Sequence, residues 1–198
     1  VTENPVRQPR RPEDFAVYYA ERPPWDIGRP QPVIQAHAGE FTGAVLDIGC
    51  GTGEHALLAA SLGLAATGVD TSPEAIELAR AKAAERGLTA RFEVANAVDL
   101  GALGQRFETI VDSALFHVFD DADRVRYVAS LGDAIADGGR YHLLCFSDEQ
   151  PGEWGPRRIS EREIREAFRD WRIEVLERAT FDLTNVVAQA WRAVLSPR

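Results

Sequence analysis

Short apolar runs alternate with stretches of helical period along most of the chain. Residues 44–48 (AVLDI), 65–70 (AATGVD), 90–95 (ARFEVA), 107–113 (FETIVDS) and 140–147 (RYHLLCFS) are runs of strand length bounded by turn residues. Between them, 54–63, 72–87 and 121–137 carry helical patterns, and 159–170 carries a fourth. Ser72 stands where a cap belongs, Pro73 at the first helical position and Gly87 at the stop. Ser160 with Glu163 forms a capping-box pattern. Upstream, Glu13 to Ala20 reads as a short helix carrying Phe15, Tyr18 and Tyr19. Four prolines and a glycine then break regular structure over 21–32, and Gln31 to Gly39 reads as a second short helix. Downstream, 171–181 and 185–195 read as strands with no helix between them, so the sheet ends in an antiparallel hairpin. Repeated strand–helix units predict an α/β fold: a doubly wound, mainly parallel sheet, its last strand antiparallel, with helices on both faces.

The bulk numbers narrow the class. A length of 198 residues with 45% hydrophobic content suits one domain, here 13–198, after a proline-rich basic leader at 1–12. That leader reads as flexible, or as an arm that folds over a ligand. A net charge of −9 disfavours nucleic acid as a main partner, because phosphate binding needs a basic face. Cys50 and Cys145 are far apart in apolar surroundings, with neither a disulfide nor a metal spacing, which points to a reducing, cytoplasmic setting. No run has the length of a membrane span. Oligomeric state is not readable.

The densest chemistry is VLDIGCGTGE, residues 45–54. Gly49, Gly51 and Gly53 follow the first core strand and open a helix, where ligands of such sheets bind. Glycine permits tight turning and lets a ligand reach bare main chain. The spacing is G-x-G-x-G. It is neither the triphosphate loop, which needs a lysine, nor the dinucleotide fingerprint, whose third glycine comes one position later. Glu54 at the helix start suits a ligand with cationic groups. Asp70 closes the second strand, and a carboxylate there pairs with the two hydroxyls of a ribose, because it only accepts and they donate.

These stretches resemble the class I S-adenosylmethionine-dependent methyltransferases: VLDIGCGTGE their first motif, ATGVD (66–70) their second. The resemblance covers 40–147 and implies a Rossmann-like sheet of seven strands. It implies S-adenosylmethionine as cofactor and S-adenosylhomocysteine as product. By position, Asp47, Gly49, Cys50, Gly51 and Gly53 lie along the methionine part, Asp70 holds the ribose and Thr71 flanks the adenine. Asn96 stands where Asp is common, its oxygen able to accept from the adenine amino group, with the Ala97 amide on the ring. PPWDIGRPQP (23–32) is similar to the segment before the first strand in the thiopurine and halide/thiol methyltransferase group, and small heterocycle methyltransferases share this layout. That makes 13–40 a lid over the cofactor, with Trp25 either facing the sulfonium cation or filling a gap.

The same resemblance implies an enzyme acting on a small aromatic or heterocyclic acceptor with an O, N or S nucleophile, by in-line displacement. His117, just past the fourth strand, is the candidate general base; the alternative is a loop histidine bonded to main chain. Asp112 contacts the methionine amine or orders its loop. Tyr19, Ser113, Phe116, Phe146 and Trp154 are candidate substrate-binding residues, with Phe119 beside them. Arg157 and Arg158 attract an anionic acceptor or solvate a turn. No metal site, no base-methylating [DNS]PP[YFW] motif and no Pro-Cys nucleophile is present. The competing readings are a nicotinamide oxidoreductase on the same sheet and a catalytically silent cofactor-binding partner protein.

Overall fold

The computed structural model describes residues 22–198. The leader, the expected helix at 13–20 and Tyr19 lie outside the described residues. Seven strands form one sheet: β1 (Val45–Ile48), β2 (Ala66–Asp70), β3 (Arg91–Val94), β4 (Phe107–Ser113), β5 (Ile135–Phe146), β6 (Trp171–Asp182) and β7 (Val187–Pro197). Their order is β3-β2-β1-β4-β5-β7-β6. The first five pair in parallel, while β7 runs antiparallel to both β5 and β6. The hairpin expected at the end is therefore present, with its second arm inserted into the sheet and its first arm left as the edge. Strand order reverses between β1 and β4, and ligands of such sheets bind beyond the carboxyl ends of the strands at that point.

Burial explains the arrangement. β1 and β2 are buried at every position, as strands covered on both faces must be. Successive residues of β5 divide between two cores: Leu143 and Cys145 join Leu46, Ile110, Tyr127 and Phe168, whereas Leu144 and Phe146 join Val45, Leu57, Ile76 and Phe92. The helices are α1 (Pro32–Ala36), α2 (Glu54–Ser61), α3 (Pro73–Glu85), α4 (Asp121–Ala134) and α5 (Glu161–Ala167). The Ser72 side chain accepts from the Ala75 amide at 3.2 Å to start α3, and the Ser160–Glu163 capping box starts α5.

Three local expectations shift. The helix expected at 121–137 stops at Ala134, because Ile135 leaves it to pair with Phe107, and β5 begins there rather than at 140. The register then slips around Gly138, whose φ of 73° turns the chain before Arg140 pairs with Thr109. The helix expected at 31–39 divides into α1 and a 3-10 turn at Ala38–Glu40. Residues 97–103, given no element in the sequence reading, form 3-10 turns. Among the described residues no helix is long and apolar enough to cross a membrane.

Candidate functional site

The loop between β1 and α2 is a rigid piece of main chain. Gly49, Gly51 and Gly53 all have positive φ (63°, 52° and 85°). A side chain at Gly53 would start 2.7 Å from the Phe92 ring and 2.9 Å from the Ala79 methyl, so the third glycine serves the close packing of α2. One at Gly49 would start 3.1 Å from Leu115, in the loop after β4. The loop is tied down by Cys50 N donating to Val69 O (2.9 Å) and Gly51 N donating to Asp70 Oδ2 (2.9 Å). Cys50 is buried in the second core, next to Gly68, and burial raises its thiol pKa well above normal.

Two carboxyl groups flank this loop. Asp70 also accepts from Ser72 N at 2.9 Å, so a main-chain donor sits on each oxygen, and the Thr71 amide adds a third. Burial raises its pKa. Asp47 is buried and accepts from Ala56 N at 3.0 Å. Its pKa is pushed up to about 8, first by burial and then by Asp70, Asp112 and Glu54. His55 lies beside it, Nδ1 to Oδ1 3.9 Å. His55 Nε2 accepts from Gln31 N at 3.2 Å, and burial lowers its pKa to about 4. Both groups are then mainly neutral at pH 7, and the contact is not an ion pair.

Beyond β2 and β3, Thr71 is half-buried, Ala97 is buried and Asn96 is exposed. Asn96 Oδ1 already accepts from Val98 N at 3.2 Å, as the cap of the 3-10 turn. Bare glycine main chain, two acceptor oxygens on Asp70 and the Asp47 carboxyl together fit a nucleoside carrying an amino-acid tail.

Glu54 departs from its expected role. It does not face a ligand. Lys82 Nζ (2.7 Å) and both terminal nitrogens of Arg86 (2.8 and 2.9 Å) bind its carboxylate, and these contacts lower its pKa against the opposing effect of burial. The 22–31 segment reaches the same cluster through Asp26 Oδ2, which accepts from the Thr52 hydroxyl at 3.0 Å. Gln31 fastens its other end to β6, donating to Asp182 O and accepting from Asp182 N. Trp25 packs, partly buried, against the second core.

Asp112 closes β4. Oδ1 accepts from Leu115 N (2.8 Å) and Phe116 N (3.3 Å), and Oδ2 from the hydroxyls of Tyr127 (2.6 Å) and Tyr141 (2.7 Å). With four donors its acceptor capacity is filled. Of its two expected roles, the geometry provides loop ordering and not contact with the methionine amine. The loop it orders contains Ala114 at φ 77°, a strained conformation for a residue with a side chain, next to half-buried Ser113.

His117 departs from the expected general base. Its Nδ1 accepts from Phe146 N at 3.0 Å, and an amide can only donate. The imidazole proton therefore sits on Nε2, leaving no lone pair for a substrate proton. Burial, then Arg158 and Arg124, lowers its pKa to about 3. Phe116 is also corrected: it is 0% exposed, stacked on Phe168 (5.6 Å) under Arg124 (4.6 Å), and belongs to the core. Phe119 packs on Tyr127 at 4.7 Å. His117, Phe146 and Trp154 form an aromatic cluster, with Phe146 edge-on to both (5.2 and 6.0 Å); Phe146, expected at the substrate, is buried in the second core, His117 is buried too, and Trp154 is 36% exposed.

Arg158 binds the carbonyls of Gln150, Gly152, Trp154 and Pro156, and Arg157 pairs with Asp121 and Glu163, so both arginines hold the turn. Gln31, Asp26, Thr52 and Lys82 were missed by the sequence reading. The contacts that join them, Gln31 to His55, Asp26 to Thr52 and Thr52 to Lys82, span 24 or more residues, and no local spacing announces them.

A family model described as a methyltransferase domain matches residues 45–139. The 2-heptyl-1-hydroxyquinolin-4(1H)-one methyltransferase of Mycobacteroides abscessus is 44% identical over 152 residues, 74% of this chain and 67% of that protein. A protein solved in work on conversion of a disulfide bond into a thioacetal group during echinomycin biosynthesis superimposes with a TM-score of 0.84 at 39% identity, covering 94% of this chain and 93% of that one. The glycopeptide N-methyltransferase MtfA, complexed with S-adenosylmethionine, shares the fold at 17% identity and a TM-score of 0.68, over 83% of this chain and 92% of its own. The nicotinamide reading and the silent-partner reading both fall: the chain belongs to the S-adenosylmethionine-dependent methyltransferase family, is an enzyme of that kind, and takes S-adenosylmethionine as its cofactor.

Proposed function

We propose that the enzyme methylates a small aromatic or heterocyclic acceptor seated above the carboxyl ends of β4 and β5. The observation that carries this reading is the aromatic cluster of His117, Phe146 and Trp154 just past the ends of β4 and β5, with Trp154 partly exposed. Such a cluster favours a flat, apolar acceptor. Two relatives support it: one named for a hydroxylated quinolone, the other solved in work on sulfur chemistry. The 23–32 segment supports a grouping with the thiopurine and halide/thiol enzymes.

The bound cofactor supplies a methyl group already activated on a sulfonium, and the chain positions and desolvates. Gly49, Gly51 and Gly53 hold the methionine part, and the Asp70 carboxylate takes the ribose hydroxyls. Asp112 fixes the 113–116 loop. His117 presents Nε2–H as a donor and orients an acceptor oxygen; it does not remove a proton. The fitting nucleophiles ionise unaided or carry a free lone pair, such as N-hydroxy heterocycles and thiols.

Radiolabelled methyl donor offered with a panel of N-hydroxyquinolones, phenols, thiols and N-heterocycles tests this reading. Label is expected in an N-hydroxy or thiol heterocycle. Label that enters none of the panel but enters a peptide or protein overturns it.

A further inference from the structure

Of the 22 Lys and Arg residues in this chain, Lys82 alone is lysine. It sits on α3, outside the proposed cofactor site, at the junction of three elements. Its ammonium donates to the Thr52 hydroxyl at 2.6 Å and to Glu54 Oε1 at 2.7 Å, and lies 3.8 Å from Asp26 Oδ1. Thr52 belongs to the glycine loop, and its hydroxyl passes its own proton on to Asp26 Oδ2 at 3.0 Å. Asp26 belongs to the 22–31 segment, and its Oδ1 also accepts from Gly28 N at 3.0 Å, shaping the turn. Three oxygens around one point suit a compact, three-donor ammonium; a planar, forked guanidinium does not present its donors that way. That accounts for a lysine here in a chain otherwise served by arginine.

We propose that Lys82 is a positioning residue, a latch whose ammonium fastens the 22–31 segment to the cofactor loop through Thr52 and Asp26, so that cofactor exchange requires the latch to open. The chain of contacts is continuous: the segment's carboxylate, the loop's hydroxyl and the helix's ammonium each lean on the next. The glycine loop is otherwise fixed from below by Val69 and Asp70. From the 22–31 side, Asp26 reaches it through Thr52. A ligand seated on the loop and the closed segment then stabilise one another, which is reciprocal coupling between two sites.

The test compares Lys82→Met, Lys82→Arg, Asp26→Asn and the Lys82→Met/Asp26→Asn double variant with Arg86→Met. The last removes the other cation on Glu54, which hydrogen-bonds neither Thr52 nor Asp26. S-adenosylhomocysteine dissociation is read by stopped flow, and KM and kcat are read for the methyl donor. Lys82→Met and Asp26→Asn are each expected to speed dissociation about tenfold, with KM rising more than kcat falls. The double variant goes no further than either single one, because both break one unit. Lys82→Arg fails to restore the wild-type rate, and Arg86→Met lowers only the melting temperature.

Because the lysine is single and its side chain is 23% exposed, its acylation by an amine-reactive ester also reports the latch. S-adenosylhomocysteine should slow that acylation in the wild type and not in Asp26→Asn. Unchanged dissociation in both single variants, additive effects in the double variant, or full rescue by arginine overturns the proposal and leaves Lys82 as a helix–helix tie.

Discussion

The two walls of the site are built by different means. The proposed cofactor wall, at the ends of β1 and β2, is main chain: three glycines with positive φ, with the Gly51 amide held by Asp70 and the Ala56 amide by Asp47. The proposed acceptor wall, at the ends of β4 and β5, is side chain. His117, Phe146 and Trp154 lean on each other, and Arg158 ties the loop under them to four carbonyls. A wall of main chain fixes its shape through backbone conformation, and few residue types can serve there. A wall of side chains fixes its shape through packing between distant segments, and many residue types can. The first wall therefore tolerates change poorly and suits a constant ligand, while the second can be re-cut for a different acceptor without disturbing the first.

The sharpest way to break this contrast is Gly53→Ala. The added methyl meets Phe92 and Ala79 under 3.0 Å, at a φ of 85°. Overpacking and left-handed strain together cost about 4 kcal/mol. Urea denaturation is expected to show that loss, and titration calorimetry a loss of S-adenosylhomocysteine binding. Retained stability with retained binding would mean that the cofactor wall is as plastic as the other.

How much of each wall could be read from the sequence follows the same division. Gly49, Gly51, Gly53 and Asp70 were legible because glycine before a helix and a carboxylate at a strand end are local signals with few alternatives. The strands and the closing hairpin were legible because burial imposes its period on consecutive residues. Phe116 and Phe146 look alike in sequence. Both enter the core, but different ones: Phe116 packs on Phe168, 52 residues on, and Phe146 joins the core on the other face of the sheet. His117 lay where a base belongs, yet its tautomer is set by the amide of Phe146, 29 residues on. The end of α4 was misplaced because Ile135 and Ala136 continue a helical pattern and only pairing with β4 draws them into β5.

A change on the acceptor wall has a smaller expected effect. His117→Ala leaves the Phe146 amide buried without an acceptor and costs about 2 kcal/mol. His117→Gln keeps an acceptor oxygen and recovers most of that. The folded protein keeps His117 neutral down to about pH 3, while the unfolded chain protonates near 6.5. Its contribution to stability is thus present above pH 6.5 and lost as pH falls below it. His55 and His142, both held near 4 by burial, act in the same direction. With an acceptor that ionises well below pH 5, kcat/KM is expected to show no acid limb near 6.5. A limb near 6.5 that vanishes in His117→Gln would restore the general base.

The smallest effect sharpens the account of the cofactor wall. Asp47 holds its proton in the folded free protein up to about pH 8, whereas in the unfolded chain it ionises near its ordinary 3.8. Its carboxylate form therefore costs stability, and the free protein weakens as pH rises from about 4 through about 8. The proposed seat of the methionine part brings a cationic amine to this carboxyl, and that charge favours the ionised form. Binding then releases a proton, and affinity rises with pH between 6 and 8 by about fivefold per unit, about 1 kcal/mol. Calorimetry of S-adenosylhomocysteine in buffers of different ionisation enthalpy measures the release directly. Asp47→Asn should bind more weakly at pH 8 and lose the dependence on pH. A release that persists in Asp47→Asn would assign the proton to another group and detach Asp47 from the amine.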